Sequence, residues 1–206
     1  GFNMQSDYFA SFDYDNNIIN VNNQSICVPH SNKAFINNVL PAYSIANYLG
    51  ITTDKFEYYL TTFSMPQGRF NIINSKDFII IDDCYNANYA SAISGIDSLL
   101  SINKNNNSNR KIIIVLGDMK ELGEKEKKIH YNLGDYISNT KHIDALFTIG
   151  NLSKEISKAI KSTIYNKHFT NKQELTIELK KYSEYGDIIY FKGSRSMKLE
   201  KIIEKL

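Results

Sequence analysis

The sequence predicts an α/β fold: a mostly parallel sheet covered by helices on both faces, preceded by a small α+β unit. Three observations lead there. Apolar runs at 78–81 (FIII), 112–116 (IIIVL), 145–149 (ALFTI) and 188–191 (IIYF) alternate with helical segments, which is the rhythm of β-α-β units. Those runs are apolar at successive positions, so both faces of each strand are buried, as a parallel sheet covered on both sides requires. Polar clusters then follow the strands: DDCYNAN after the first, GDMKELG after the second and KGSRS after the last. In open parallel sheets ligands bind at the carboxyl ends of the strands, where loops and unpaired helix N–H groups converge.

Taken in order, residues 7–28 place short strand-like segments such as IINV and SICV around Asn-rich turns, the pattern of a small β region. In NNVLPAYSIANYLG, the residues Val39, Leu40, Tyr43, Ala46, Tyr48 and Leu49 suit a helix face. An N-cap at Asn38 would put Pro41 in the first turn, where a missing donor costs little, and Gly50 would close the helix. A second helix over about 54–63 offers Phe56, Leu60 and Phe63 to the same core. SMPQGR, at 64–69, combines Pro and Gly between periodic segments, so the domains are expected to be 1–65 and 66–206. Beyond it, helices are expected near 90–101, 125–139, 152–161, 171–184 and 196–205, with a weaker strand at 164–169. The run NKNNNSN at 103–109 reads as a solvated loop.

Composition removes several function classes. A formal charge of +2 with dispersed basic residues lacks the concentrated positive field of a nucleic-acid binder. Cys27 and Cys84 are the only cysteines, far apart in sequence, and the histidines at 30, 130, 142 and 168 have no metal-ligand spacing; no metal site is expected. No apolar run approaches the ~20 residues that span a bilayer, and no basic-then-apolar leader opens the chain. A reducing, cytoplasmic setting follows as the expectation. The chain opens Gly-Phe-Asn, with Met4 its first methionine, and so reads as a fragment.

Each polar cluster has a plain structural reading beside a functional one. Asp82 and Asp83 suit helix capping, but a cap needs one acceptor and leaves Tyr85, Asn86 and Asn88 unexplained; Asn88 could itself be the cap. GDMKELG suits a tight turn, although Asp118 and Glu121 could meet a cation or an amine. His130 reads as surface or packing. Lys192, Ser194 and Arg195 at a helix mouth combine cations, a hydroxyl and backbone N–H groups as an anion requires, with Gly193 letting a ligand approach the backbone. Arg69, beside the hinge, could complete that set. No GxxxxGK[ST] loop and no GxGxxG is present, so the usual phosphate cradle and the dinucleotide fingerprint are both missing.

Together, GRF at 68–70, IDDCYNAN at 81–88, VLGDMKELG at 115–123 with His130 after it, GD at 186–187 and KGSRSMKLE at 192–200 resemble the C-terminal half of a Mur ligase. The resemblance covers roughly 67–206, and residues 1–65 resemble the tail of the family's central ATPase domain. It implies a Rossmann-like C-terminal domain and an ATP-dependent, magnesium-using amide ligase of peptidoglycan synthesis. The substrates implied are D-alanyl-D-alanine and UDP-N-acetylmuramoyl-tripeptide, joined through an acyl phosphate. The missing P-loop implies that this portion is inactive alone.

Carried over, Arg69 and Lys192 would be catalytic. Arg69, Asp83 and Asn38 would face the nucleotide, toward phosphate, ribose and adenine respectively, while Tyr85, Asn86, Asn88, Ser194 and Arg195 would hold substrate. A monomer is expected. Cys84, Tyr89 and Ala92 depart from the family pattern, as do Ala34 and Phe35 on the adenine side. Two alternatives stand beside this reading: a Mur-type ligase for another amino acid, against which no DNPR-like segment is present, and a non-catalytic remnant or binding module.

Overall fold

The computed structural model describes residues 7–13, 16–30, 33–104, 110–161 and 163–206, and the chain divides into two compact units, 1–64 and 65–206. In the first unit, β1 (Ala10–Asp13), β2 (Ile18–Val21) and β3 (Gln24–Cys27) form an antiparallel meander. Ile19, Val21 and Ile26 are buried from it, the inward half of a period-two pattern.

Helix α1 (Lys33–Tyr48) corrects the expected cap. Asn38 is an exposed residue within the helix, and Pro41 lies inside it. The apolar stripe begins earlier than the sequence window suggested, since Phe35, Ile36, Val39, Leu40, Tyr43 and Ala46 are all buried at three- and four-residue intervals. Burying that stripe outweighs the ~3 kcal/mol of an interior proline, and Asn37, whose carbonyl loses its donor, is exposed. Gly50 closes the helix as expected: at φ +79° its N–H donates to the Asn47 carbonyl and the Ile51 N–H to the Ala46 carbonyl, each at 2.9 Å, the paired bonds of a Schellman end. α2 (Thr53–Thr61) has no fully buried side chain. Phe56 meets the Tyr43 ring edge-on, whereas Phe63 is 45% exposed and rims the core instead of filling it.

The second unit runs β4 (Asn71–Asn74), β5 (Ile79–Asp83), α3 (Tyr89–Lys104), β6 (Ile112–Gly117), α4 (Glu126–Ser138), β7 (Ala145–Ile149), α5 (Lys154–Ala159), β8 (Tyr165–Phe169), α6 (Lys172–Tyr182), β9 (Ile188–Lys192) and α7 (Glu200–Ile203). Its six-stranded sheet has the order β4-β5-β9-β6-β7-β8. All neighbours pair in parallel except β4 with β5, which bears out the mostly parallel α/β expectation. The weak strand at 164–169 is real; β4, a four-residue edge strand, had no sequence signal of its own.

Neighbouring residues of each strand enter opposite cores. Ile112, Ile114, Ile188 and Tyr190 pack with Ile96 and Leu99 of α3 and with Leu133 and Ile137 of α4. Ile113, Val115, Ile189 and Phe191 pack with Leu175 and Leu179 of α6 and with Ile202 of α7. The helix expected over 196–205 is broken, because Lys198 takes a left-handed φ of +48° between a 3-10 turn at Arg195–Met197 and the four-residue α7. Of the Asn-rich run, 105–109 lie outside the described residues.

Candidate active-site edge

The order β5-β9-β6 determines where chemistry can gather. The chain leaves β5 and β6 toward the face covered by α3 and α4 and leaves β9 toward the face covered by α7, so a crevice opens beyond the carboxyl end of β9. Parallel register sets Asp83, the last residue of β5, beside Lys192, the last residue of β9. The Lys192 ammonium lies 2.6 Å from Asp83 Oδ2 and donates to the Asn86 carbonyl at 3.1 Å. The Tyr190 hydroxyl donates to the same Asp83 oxygen at 2.9 Å.

Lys192 is 3% exposed, and a cation so buried persists only when paired and hydrogen-bonded. Burial pushes the Asp83 carboxyl above its usual range, against the downward pull of Lys192, Tyr190 and the Phe70 backbone.

The loop before β4 borders this cluster. Gly68 accepts from the Tyr85 N–H at 2.9 Å, and the exposed Arg69 guanidinium lies over the Tyr85 ring, 4.2 Å from its centroid, a cation–π stack. Asn86 and Asn88 are exposed. The Asn88 side chain accepts from the Ser91 N–H at 2.8 Å, so Asn88 caps α3 and leaves Asp83 to the ion pair. Asp82 turns its carboxylate to the Cys84 N–H at 3.1 Å. The Cys84 thiol is buried, and burial together with Asp82 pushes its pKa well up, which makes it an inert packing group.

On the other side of β9, Ser194 is buried; its hydroxyl oxygen accepts from the Lys120 N–H at 2.8 Å and its N–H donates to the Asp118 carbonyl at 3.0 Å. Gly193 has a packing reason of its own to be glycine, because a Cβ there would lie 2.8 Å from Leu199 Cδ1 and 3.2 Å from Gly117 Cα. Arg195 is exposed in the 3-10 turn. With the following helix broken, the expected helix-mouth anion site lacks its helix.

Asp118 does meet an amine, that of Lys120, but most of its partners are backbone groups that the sequence did not point to. It is buried, and its carboxylate accepts the N–H groups of Asn151, Leu152 and Ser153 at 3.1, 2.9 and 2.8 Å, with Lys120 Nζ at 3.2 Å. It ties the end of β6 to the turn after β7. His130 is fully buried; its Nε2 accepts the Met119 N–H at 2.9 Å and its Nδ1 lies 2.7 Å from the Glu126 carbonyl, so the proton is assigned to Nδ1.

Asp83, Lys192 and Asn86 are thus brought together, with Tyr85 and Arg69 stacked beside them and Ser194 and Arg195 following Lys192 directly after the end of β9. Asn38 belongs to the other unit. Sequence reasoning missed Tyr190, hidden in an apolar strand, although a phenol buried on both sides must find a partner.

Residues 68–195 match the model of the Mur ligase, glutamate ligase domain. The chain is 35% identical over 188 residues to the UDP-N-acetylmuramoyl-tripeptide--D-alanyl-D-alanine ligase of Haemophilus influenzae, covering 88% of this chain and 39% of that protein. It is 33% identical over 183 residues to the enzyme of the same name from Bacillus subtilis, with 87% and 39% covered. The crystal structure of MurF ligase from Thermotoga maritima in complex with ADP superposes with a TM-score of 0.77 at 25% identity, over 98% of this chain and 46% of that one. The chain therefore spans about two-fifths of the length of these curated relatives, and it belongs to the Mur ligase family.

Proposed function

We propose that the chain is the amine-substrate and closing portion of an ATP-dependent ligase that joins D-alanyl-D-alanine to UDP-N-acetylmuramoyl-tripeptide in peptidoglycan synthesis. On this reading residues 1–65 are the C-terminal part of its central ATPase domain, and the whole protein is a cytoplasmic monomer. The observation that carries it is the Asp83–Lys192 pair at the crevice beyond β9, bordered by an exposed arginine, within a region matching the family model.

A nucleotide fits this edge. Arg69, stacked on Tyr85 and exposed, keeps its N–H edge for phosphate oxygens. Asp83 accepts Tyr190 and Lys192 through Oδ2, and on this reading its carboxylate is the group that meets ribose hydroxyls. ATP, when bound, supplies the phosphoryl group that activates the peptide carboxylate.

Lys192 retains one N–H beyond its two acceptors, Ser194 retains its hydroxyl proton, and Arg195 is exposed. These donors suit the dipeptide carboxylate or the departing phosphate, with Tyr85, Asn86 and Asn88 lining the approach; fixed donors of this kind stabilise charge that builds during transfer. Among the described residues no group of three His, Cys, Asp or Glu side chains could hold a metal ion, so magnesium would be held mainly by other parts of the ligase, and no step is assigned to it.

Calorimetric titration of the chain with ADP and, separately, with D-alanyl-D-alanine tests the reading. Arg69→Ala is expected to weaken ADP by about tenfold or more and Arg195→Ala to weaken the dipeptide by a similar factor, each leaving the other ligand alone. Absence of heat with both ligands at millimolar concentration would favour the remnant instead.

A further inference from the structure

Tyr190 is an unusual residue to find wholly buried in the middle of a sheet. Its hydroxyl reaches Asp83 Oδ2 at 2.9 Å, and its ring lies 6.0 Å from that of Phe70. Phe70 follows Arg69 and, at φ +56°, holds a left-handed conformation that a bulky side chain rarely adopts. The antiparallel register pairs Asn71 with Asp82, so one step further along Phe70 stands across from Asp83. The loop carrying Arg69 is thus gripped on both flanks: Phe70 against the Asp83–Tyr190 pair and Gly68 against the Tyr85 N–H.

A second, separate observation concerns α3. Gly95 interrupts the middle of that helix, where glycine costs ~1 kcal/mol relative to alanine. A Cβ at this position would lie 2.0 Å from the Tyr190 hydroxyl and 3.2 Å from Asp83 Oδ2. The helix gives up its own preference to make room for a phenol reaching a carboxylate.

We propose that Tyr190 is a positioning residue for the Arg69 loop: its hydroxyl fixes the Asp83 carboxylate, Asp83 and the Tyr190 ring hold Phe70 in its left-handed conformation, and Gly95 is the space that lets the hydroxyl arrive. Tyr190 touches no ligand in this arrangement. It acts through Asp83 and Phe70 on the direction in which Arg69 points. The nucleotide-facing role of Arg69 rests on the proposed function, whereas the grip on the loop does not.

Hydrogen–deuterium exchange resolved to single amides, run on the whole chain, separates the two. Tyr190→Phe keeps the ring and removes only the hydroxyl. It is expected to speed exchange at residues 68–71 about tenfold, the loss of one hydrogen bond to a charged group, while amides of β7 change less than about twofold. Gly95→Ala is expected to give the same local pattern by displacing the phenol, although alanine favours the helix.

ADP affinity measured on the same samples should fall in both variants by a similar factor. Unchanged exchange at 68–71 in Tyr190→Phe, or a rise shared equally by β7, overturns the proposal. Should the unsubstituted chain bind no ADP while 68–71 loosen as expected, the positioning role stands and the nucleotide reading falls.

Discussion

Replacing Asp118 removes one carboxylate that serves several backbone groups at once. The Leu152 and Ser153 amides it accepts at 2.9 and 2.8 Å are buried, and leaving a buried donor unpaired costs about 1–3 kcal/mol each. Asn151 is exposed, so water replaces its bond, and the Lys120 bridge is half-exposed on the lysine side and adds little. Asp118→Ala is therefore expected to destabilise the second unit by about 3–5 kcal/mol. Asp118→Asn keeps an oxygen for Leu152 and Ser153 but loses the charge and the acceptor for Asn151, for about 1–2 kcal/mol.

Urea titration followed through β7 amide exchange isolates this unit; with a slope of about 2 kcal/mol/M the alanine variant shifts the midpoint by about 2 M. The pH dependence has a definite sign. Burial pushes the Asp118 carboxyl up, but the Ser153 amide, Lys120 and the Leu152 amide outweigh it, and the net pKa lies below the ordinary value. The unfolded state then binds more protons on acidification. The Asp118 contribution is complete above the unfolded carboxyl pKa of about 3.9 and is lost as pH falls through the lower native value. Asp118→Asn should lack that part of the acid slope. A cost below about 0.5 kcal/mol for alanine, within the range of an ordinary surface change, or equal costs for both variants, would refute the argument.

Two further substitutions test packing and backbone. Gly134→Ala places a Cβ 2.2 Å from the Ile156 carbonyl oxygen and 2.8 Å from Ala159 Cβ, so α4 and α5 must separate; a loss of about 1–3 kcal/mol is expected despite the better helix propensity, read as a lower urea midpoint. Pro41→Ala restores a donor for the Asn37 carbonyl within α1, and should raise the thermal midpoint of the first unit, by up to about 3 kcal/mol in stability.

Much of the second unit was legible because its strands are apolar at successive positions: β7 begins and ends where ALFTI does. The elements misread are those set by tertiary context. α1 starts several residues before its expected cap because Phe35 and Ile36 are buried, a fact absent from a window opening at Asn37. The helix over 196–205 fails at Lys198, whose left-handed backbone no residue type announces. At the candidate site, the joining of Asp83 to Lys192 follows from both ending parallel strands, but their being neighbours does not. It depends on β9 inserting beside β5, a choice of strand order invisible in any local pattern. Asp118 was ambiguous for the same reason, since its backbone partners lie more than thirty residues away.

That strand order also bears on how the molecule assembles. β9 comes last in the sequence of the sheet yet sits between β5 and β6. Until it arrives, the hairpin of β4 and β5 and the block of β6, β7 and β8 can each form but share no hydrogen-bonded neighbour, and both expose an open, sticky edge. On a ribosome the early segments must wait for the late one. Such long-range closure slows folding and lengthens the interval in which the halves can adhere to other chains.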